Sequence, residues 1–333
     1  VSANYSLREY ADTVVYTVKE ACEEWKVEHP VLVTESGRAL TAQHSVVVVP
    51  VVDAIGPTRT PVDLPPLDGE VHALIRDMRD LEGTITVKTY REVFNEAVSN
   101  KETMHSLFDL GYLSLLERAH FEQHYNRILA RVAKVIESLD YVPEEFEALP
   151  RMLADKYVVN FSLFQSLPDH WAIKSLFPIT PLTRLHEKPE RNATLVDITC
   201  DSDGKIESFI DLRDVKRALP VHELREGEPY YLGIFLTGAY QDVLANAHNL
   251  FGRVNEAHVR LTDQGFEMEL FVEGQKARRV IHNMGYETPD LHAAVLKQAN
   301  EMRDEGAMTD EEITTFLELY DNELTGYTYL EAV

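Results

Sequence analysis

The segment Asp197-Ile-Thr-Cys-Asp-Ser-Asp-Gly204 combines one of the two cysteines of the chain with three carboxylates. Thr194, Val196 and Ile198 stand at every second position, which is typical of a strand that leads into this segment. Reactive side chains on a loop that follows a strand are common in functional sites. The sequence therefore predicts that this loop forms one wall of an active site.

Further alternating segments surround this loop. They are Tyr157, Val159 and Phe161, then Tyr231, Gly233 and Phe235, then Glu267, Glu269 and Phe271. Short strands separated by Pro and Gly turns predict a β-sandwich or barrel-like domain, which we assign to residues 155–333. Two terminal helices are expected within it, at Asp290–Asp304 and Thr309–Glu323. The second helix begins with Thr309 and Glu312, the spacing of a capping box.

Residues 69–154 have apolar residues at helical spacing and predict a helical-bundle insert. Residues 56–68 contain Pro57, Pro61, Pro65 and Pro66 and predict a linker, because proline removes backbone donors. Within the bundle, His120-Phe-Glu-Gln-His124 places two histidines one helical turn apart. The zinc-protease pattern needs Glu directly after the first His and a third ligand downstream, so we do not expect a metal site there.

Residues 1–55 predict a helix at Leu7–Trp25, a short strand at His29–Thr34 and a site-forming turn. This order is typical of the end of one unit of a TIM-type (β/α)8 barrel. We assign residues 1–55 to the C-terminal end of such a barrel, so the fold class is α/β plus β. A complete barrel takes about 250 residues. Most of the barrel is therefore expected to come from another polypeptide or from a removed part of the same one.

The composition excludes several classes of protein. The 333 residues carry a formal charge of −24, which argues against partners such as nucleic acid or an anionic membrane and suits a cationic ligand. Two cysteines, Cys22 and Cys200, cannot form a disulfide framework, and no apolar run approaches the length of a membrane span. We expect a cytoplasmic protein.

Three short segments in this order resemble one family. Thr34-Glu-Ser-Gly-Arg38, Cys200-Asp201 and Thr237-Gly-Ala-Tyr240 are similar to motifs of the pyridoxal-phosphate-dependent biosynthetic arginine decarboxylases. These enzymes share the alanine racemase and ornithine decarboxylase type of fold. Gly111-Tyr-Leu-Ser-Leu in the helical insert and Asp169-His-Trp-Ala-Ile173 extend the resemblance. The insert distinguishes the arginine branch, because ornithine decarboxylases lack such a bundle.

The resemblance implies a cofactor site for pyridoxal 5'-phosphate. Glu35 is expected to hold the proton on the pyridine nitrogen. Gly37 and Arg38 are expected to bind the phosphate, through a close backbone approach and a guanidinium, respectively. Tyr240 resembles a phosphate-contacting tyrosine, and the segment Asp242–Phe251 resembles a helix that ends in an aromatic residue beside the cofactor.

The resemblance also implies roles for the acidic loop. Cys200 is the expected catalytic residue, which directs protonation of the substrate carbon after carbon dioxide leaves and crosses into the active site of the partner in a homodimer. Asp201 is expected to bind the distal cationic group of the substrate, since a carboxylate pairs well with a guanidinium. Asp203 is a further candidate for substrate binding, with no matching family residue.

The implied activity is decarboxylation of L-arginine to agmatine in the biosynthesis of the polyamines putrescine and spermidine. Mg²⁺ is implied by the same resemblance, with no ligands assigned. The chain is interpreted as the C-terminal half of an enzyme that forms a homodimer or higher homo-oligomer with shared active sites. The lysine and the glycine-rich loop that hold the cofactor are expected in the N-terminal half. A non-catalytic homologue that regulates a decarboxylase, and a related decarboxylase of another basic amino acid, remain open.

Overall fold

The computed structural model describes residues 6–56, 63–67, 69, 71–139, 141, 143–146, 148–211 and 215–331; most of the predicted linker, including Pro57 and Pro61, lies outside them. The helices are α1 (Leu7–Trp25), α2 (Gly37–Thr41), α3 (Ala73–Gly83), α4 (Tyr90–Asp109), α5 (Leu115–Glu137), α6 (Leu149–Met152), α7 (Leu163–Ser166), α8 (Pro168–Ile173), α9 (Ala277–Asn283), α10 (Thr288–Asp304) and α11 (Asp310–Leu324). The strands are β1 (Val46–Ile55), β2 (Asp155–Val159), β3 (Ile179–Pro181), β4 (Arg191–Val196), β5 (Lys205–Ile206), β6 (Phe209–Ile210), β7 (Val215–Lys216), β8 (Leu219–Val221), β9 (Tyr230–Phe235), β10 (Glu256–Thr262) and β11 (Gly265–Val272).

Helix α1 forms where the sequence predicts it. Ser6 Oγ accepts a hydrogen bond from the backbone N–H of Glu9, and the Glu9 carboxylate accepts one from the backbone N–H of Ser6. This reciprocal cap satisfies two donors that the first turn leaves unpaired. The helix ends at Lys26, which has left-handed backbone angles.

The predicted strand at His29–Thr34 is wrong: residues 27–36 have no regular secondary structure. Val31 and Val33 are 91% and 90% exposed. A strand forms only when its backbone groups pair with a neighbouring strand. Within the described residues no strand pairs with this segment, so its apolar character alone does not make it a β-strand.

Helices α3, α4 and α5 form the helical bundle. Its fully buried centre includes Met78, Met104, Phe121, Ile128 and Val132. Burying one such side chain contributes roughly 1.5–3 kcal/mol, so these residues hold the three helices together. The apolar stripes that predicted the bundle therefore face one another.

The two histidines on α5 engage separate protein oxygens. His120 Nε2 lies 2.8 Å from the carbonyl oxygen of Pro65, and His124 Nδ1 lies 2.9 Å from Oε2 of Glu82. Glu82 also lies 3.4 Å from Arg131. These contacts join α5 to the segment before α3 and to the end of α3.

In the described part of the chain, seven strands form one mixed sheet in the order β3-β9-β1-β2-β4-β5, with β8 beside β4. Strands β2 and β4 are parallel, and the other neighbours are antiparallel. Strand β8 also lies close to β3 at the opposite end of this order. The sheet therefore curls into a nearly closed, barrel-like shape around buried residues such as Tyr157, Leu195 and Leu232.

Strand β1 lies in the centre of this sheet. The predicted domain boundary at residue 55 would instead place this strand in the TIM-type barrel. Val46–Val51 pair with β9, and Val51–Ile55 pair with β2. Only Val49 and Ala54 of β1 are buried, and pairing partners distant in sequence decide which sheet the strand joins. The strand consequently carries the polypeptide directly from α2 into the β-domain.

The C-terminal region consists of the β10–β11 hairpin followed by α9, α10 and α11. The predicted capping box at the start of α11 is confirmed, with reciprocal bonds between Thr309 and Glu312. The tail after α11 returns to the sheet. There the Asn160 amide makes two hydrogen bonds with the backbone of Leu330, and the Tyr329 hydroxyl donates to the carbonyl of Gly252.

Candidate active site

The loop after β9 packs directly on helix α2. The backbone N–H of Gly238 donates to the carbonyl of Ala42 at 3.0 Å, and Thr237 Oγ1 lies 3.2 Å from Ser45 Oγ. A side chain at Gly238 would overlap the Thr41 carbonyl, so only glycine permits this approach. The contact fixes the loop that carries Tyr240 against the helix that carries Arg38.

Gly37, Arg38 and Tyr240 lie together as a result. The guanidinium carbon of Arg38 is 5.1 Å from the centroid of the Tyr240 ring. A β-carbon added to Gly37 would lie 2.9 Å from the Tyr240 hydroxyl, so glycine leaves room for that hydroxyl. Tyr240 has a positive φ of 69° and remains half exposed. We call Gly37, Arg38 and Tyr240 the Arg38–Tyr240 cluster.

Two residues that the sequence did not single out as site residues anchor this cluster. Nη2 of Arg38 donates to Oδ2 of Asp169 at 2.6 Å, and Nε2 of Gln241 donates to the same oxygen at 2.9 Å. Asp169 and Gln241 are both buried. The charge-assisted hydrogen bond to a buried carboxylate restrains the Arg38 guanidinium.

Glu35 lies two residues before α2 and is exposed. It lies on the segment that leads into the Arg38–Tyr240 cluster. No strand precedes it, because residues 27–36 are irregular.

The Cys200 loop rests on a buried carboxylate, Asp197. Its Oδ2 accepts from the backbone N–H of Leu163 at 2.8 Å, and its Oδ1 accepts from the backbone N–H and the hydroxyl of Thr199 at 2.9 and 2.7 Å. Burial raises the pKa of Asp197, although these hydrogen bonds and His248 lower it in part. A side chain at Gly204 would overlap this carboxylate. Asp197 therefore fixes both ends of the loop.

Cys200, Asp201 and Asp203 lie on one turn, which we call the acidic loop (residues 200–203). Cys200 is exposed, and the side chain of Asp201 is 36% exposed. Oδ1 of Asp201 accepts from the backbone N–H of Asp203 at 2.8 Å, which closes the turn. The structure thus brings the three predicted residues onto one surface loop.

The segment 242–251 faces the acidic loop. His248 Nε2 lies 3.7 Å from Oδ2 of Asp201, within ion-pair range but longer than a hydrogen bond. Asn249 contacts the thiol of Cys200 through its amide nitrogen at 3.5 Å. Neither residue was singled out by sequence reasoning, although both lie in the segment Asp242–Phe251 that was expected near the cofactor.

The helix expected at Asp242–Phe251 is wrong. The segment forms two 3₁₀ turns, Asp242–Leu244 and His248–Leu250. Ala245 is extended between them, with ψ of 142°, and Asn249 has a φ of 53°. The second turn is held instead by packing of the His248 ring on Phe164, with ring centroids 4.4 Å apart.

Phe164 connects the two groups of predicted site residues. Its ring also packs on Trp171 of α8 at 5.6 Å, and α8 carries Asp169, which anchors Arg38. The backbone N–H of Asn246 donates to the Phe164 carbonyl at 3.1 Å. One aromatic side chain therefore links helix α8, which supports the Arg38–Tyr240 cluster, to the segment 242–251, which faces the acidic loop.

Two further observations bear on the sequence predictions. Among the residues that the structure describes, no group of three or more His, Cys, Asp or Glu side chains could hold a metal ion. A helix able to span a membrane is not found in the described ranges either.

Comparison with known proteins identifies two regions of this chain. Residues 68–150 match the arginine decarboxylase helical bundle domain, and residues 277–330 match the arginine decarboxylase C-terminal helical extension. The first match coincides with helices α3–α5, and the second coincides with the helices that follow the β10–β11 hairpin.

Whole-chain comparisons agree with these matches. The biosynthetic arginine decarboxylase of Deinococcus radiodurans is 56% identical over 333 residues, which cover 99% of this chain and 50% of that protein. Biosynthetic arginine decarboxylase 2 of Synechocystis is 42% identical over 331 residues, again 99% of this chain and 50% of that protein.

The crystal structure of the biosynthetic arginine decarboxylase from Campylobacter jejuni is similar to this fold. The TM-score is 0.80 at 32% identity, and the match covers 99% of this chain and 53% of that one. The chain spans about half the length of the curated relatives it matches. With its helical bundle, barrel-like sheet and C-terminal helices, this chain belongs to the biosynthetic arginine decarboxylase family.

Proposed function

We propose that this chain is part of a pyridoxal-phosphate-dependent decarboxylase that converts L-arginine to agmatine and carbon dioxide. The observation that carries the proposal is the convergence of Gly37, Arg38 and Tyr240 around an anchored guanidinium, a set of groups suited to a phosphate. The names of the relatives support the choice of arginine.

The residues of the Arg38–Tyr240 cluster fit the cofactor. Gly37 keeps the space beside the Tyr240 hydroxyl open, and the Arg38 side chain, which carries the guanidinium, is 44% exposed. In this proposal Arg38 and Tyr240 donate to the phosphate, and Glu35 keeps a proton on the pyridine nitrogen. When bound, pyridoxal phosphate supplies the electron sink for the carbon that loses its carboxylate.

The acidic loop provides the substrate chemistry in this proposal. Asp201 binds the guanidinium of arginine, because a partly desolvated carboxylate can accept two parallel N–H bonds from it. Asp203 adds negative charge on the same turn, and its backbone N–H orients the Asp201 carboxylate. Cys200 directs the proton to the substrate carbon after carbon dioxide has left. The net charge of −24 favours approach of a cation.

The complete enzyme in this proposal needs residues beyond this chain. An N-terminal half would supply most of a TIM-type barrel and the lysine that holds the cofactor, and residues 1–45 would complete that barrel. The half-length match to the relatives and the exposed Val31 and Val33 support this arrangement. Residues 69–154 are then the helical insert, and β1 belongs with residues 155–333 in the β-domain.

We further propose a homodimer or higher homo-oligomer, in which Cys200 acts in the partner's active site. The exposed position of Cys200 on a surface loop supports this.

The product agmatine would enter the biosynthesis of putrescine and spermidine. A cytoplasmic location is supported by Cys22 and Cys200, both of which are free thiols. Magnesium forms no step of this proposal.

Product analysis tests the function. The full-length protein, loaded with pyridoxal phosphate, is incubated separately with L-arginine, L-ornithine and L-lysine, and carbon dioxide and the amine product are quantified. We expect equimolar agmatine and carbon dioxide from arginine. Release mainly from ornithine or lysine would favour a decarboxylase of another basic amino acid. No release from any of the three by protein that binds the cofactor would favour a non-catalytic regulator.

A further inference from the structure

Asn249 makes three contacts with Cys200, all through its side-chain amide. The amide oxygen accepts from the Cys200 backbone N–H at 3.4 Å and lies 3.7 Å from the thiol sulfur. The amide nitrogen lies 3.5 Å from the same sulfur. A single side chain therefore meets both the backbone and the thiol of the residue that we propose to handle the proton.

The backbone around Asn249 directs this amide toward the thiol. Asn249 has φ of 53° and ψ of 23°, and Leu250 follows with φ of 63°. Asparagine tolerates the left-handed region better than most residues, and glycine tolerates it best. The turn is fixed by the His248 ring on Phe164. The position of the amide is thus set by the fold and not only by its contact with Cys200.

We propose that Asn249 is the positioning residue of Cys200: its amide holds the thiol in one orientation and donates to the thiolate when the proton leaves. The importance of this contact for decarboxylation depends on the proposed function. The contact itself does not. The amide nitrogen is a donor and the thiolate an acceptor, so the contact is stronger when Cys200 is deprotonated.

Charged groups lie on the same loop as the thiol and on the opposing turn, and they must be considered in any pH profile. Asp201 and Asp203 lie on the same loop, and His248 lies on the opposing turn beside Asn249. The two carboxylates oppose ionisation of a nearby thiol, whereas a protonated histidine would favour it. None of these three side chains is altered in the variants below, so differences between the variants report on position 249.

The experiment measures the rate of iodoacetamide alkylation of Cys200 as a function of pH in the full-length protein without substrate. Mass spectrometry of the peptide that contains Cys200 separates it from other cysteines, including the buried Cys22. The thiolate is the reacting form, so the midpoint of the profile reports the thiol pKa.

Two substitutions separate the effect of the side-chain amide from the effect of the left-handed backbone at position 249. Asn249→Gly keeps the left-handed turn and removes the amide, and Asn249→Asp keeps the shape and places a negative charge beside the sulfur. Loss of a donor to the thiolate makes ionisation of the thiol less favourable, and a negative charge placed beside the thiol does the same. We therefore expect Asn249→Gly to raise the midpoint by about one pH unit, and Asn249→Asp to raise it at least as far.

The matched control is Asn246→Gly, the same change three residues earlier on the same segment. Asn246 is exposed, and its backbone N–H, which the change retains, donates to Phe164. Its midpoint should equal that of the wild type. A midpoint in Asn249→Gly equal to that of the control would overturn the proposal, as would a change of rate at every pH with no shift of midpoint. A shifted midpoint in a protein that does not decarboxylate arginine would refute the proposed function and leave the role of Asn249 standing.

Discussion

Arg38 and Asp169 are 131 positions apart in sequence, and Nη2 of the first lies 2.6 Å from Oδ2 of the second. Helix α2 carries the arginine and α8 carries the aspartate. The Asp169 side chain is only 9% exposed, whereas that of Arg38 is 44% exposed. The buried partner therefore fixes one edge of the guanidinium, and the exposed side remains available to an anion.

Asp169→Asn is expected to weaken binding of pyridoxal phosphate by the full-length protein about tenfold. The amide retains an acceptor for Arg38 but loses the charge, and charge-assisted hydrogen bonds are worth about 1.5–3 kcal/mol. Equilibrium dialysis measures the affinity. Asp242→Asn, an exposed carboxylate on the turn that follows Gln241, is the control and should bind normally. Unchanged affinity in Asp169→Asn would show that binding of the cofactor does not depend on the ion pair between Arg38 and Asp169.

Tyr240→Phe is expected to reduce cofactor affinity about five- to tenfold, since one hydrogen bond is worth about 1 kcal/mol and the ring beside Arg38 remains. Tyr231→Phe, in β9 and partly exposed, is the matched control. The same dialysis measurement applies. Equal affinities of the two variants would remove the Tyr240 hydroxyl from the phosphate site.

Asp197→Asn is expected to lower the free energy of unfolding by about 1–3 kcal/mol at neutral pH. The carboxylate accepts three hydrogen bonds, and an amide would turn a donor toward at least one N–H or hydroxyl. Urea denaturation measures the loss. Asp263→Asn, at an exposed turn, should leave stability unchanged. A variant as stable as this control would mean that Asp197 does not brace the acidic loop.

Cys200→Ala is expected to lower kcat for arginine and leave KM nearly unchanged, because the proposed role is at the reacting carbon and not at the guanidinium. Steady-state kinetics on the full-length protein measure both constants. A large rise in KM with a normal kcat would assign Cys200 to substrate binding.

Local signals in the sequence predicted local structure well. The cap formed by Thr309 and Glu312 depends on residues three apart, and it is confirmed. The strand expected at His29–Thr34 and the helix expected at Asp242–Phe251 are wrong. The first depends on a neighbouring strand, and the second is displaced by packing on Phe164. Secondary structure that depends on distant partners is not encoded in a local pattern.

The same distinction applies to the site. Motifs drew attention to Arg38 and Tyr240, which the fold brings together from positions about 200 residues apart. Asp169, Gln241 and Asn249 were missed as site residues, because each acts through a contact with a residue far away in sequence. No spacing rule in a single sequence reveals such contacts.

The most direct test of the account concerns Asp201, the proposed ligand of the arginine guanidinium. Asp201→Asn in the full-length protein should lower kcat/KM for L-arginine by about one to two orders of magnitude, because the lost charge-assisted bonds are worth about 1.5–3 kcal/mol. Asp263→Asn serves as the control, and affinity for pyridoxal phosphate should stay unchanged in both variants. A kcat/KM for Asp201→Asn within about threefold of wild type would contradict the assignment of the cationic substrate to this carboxylate.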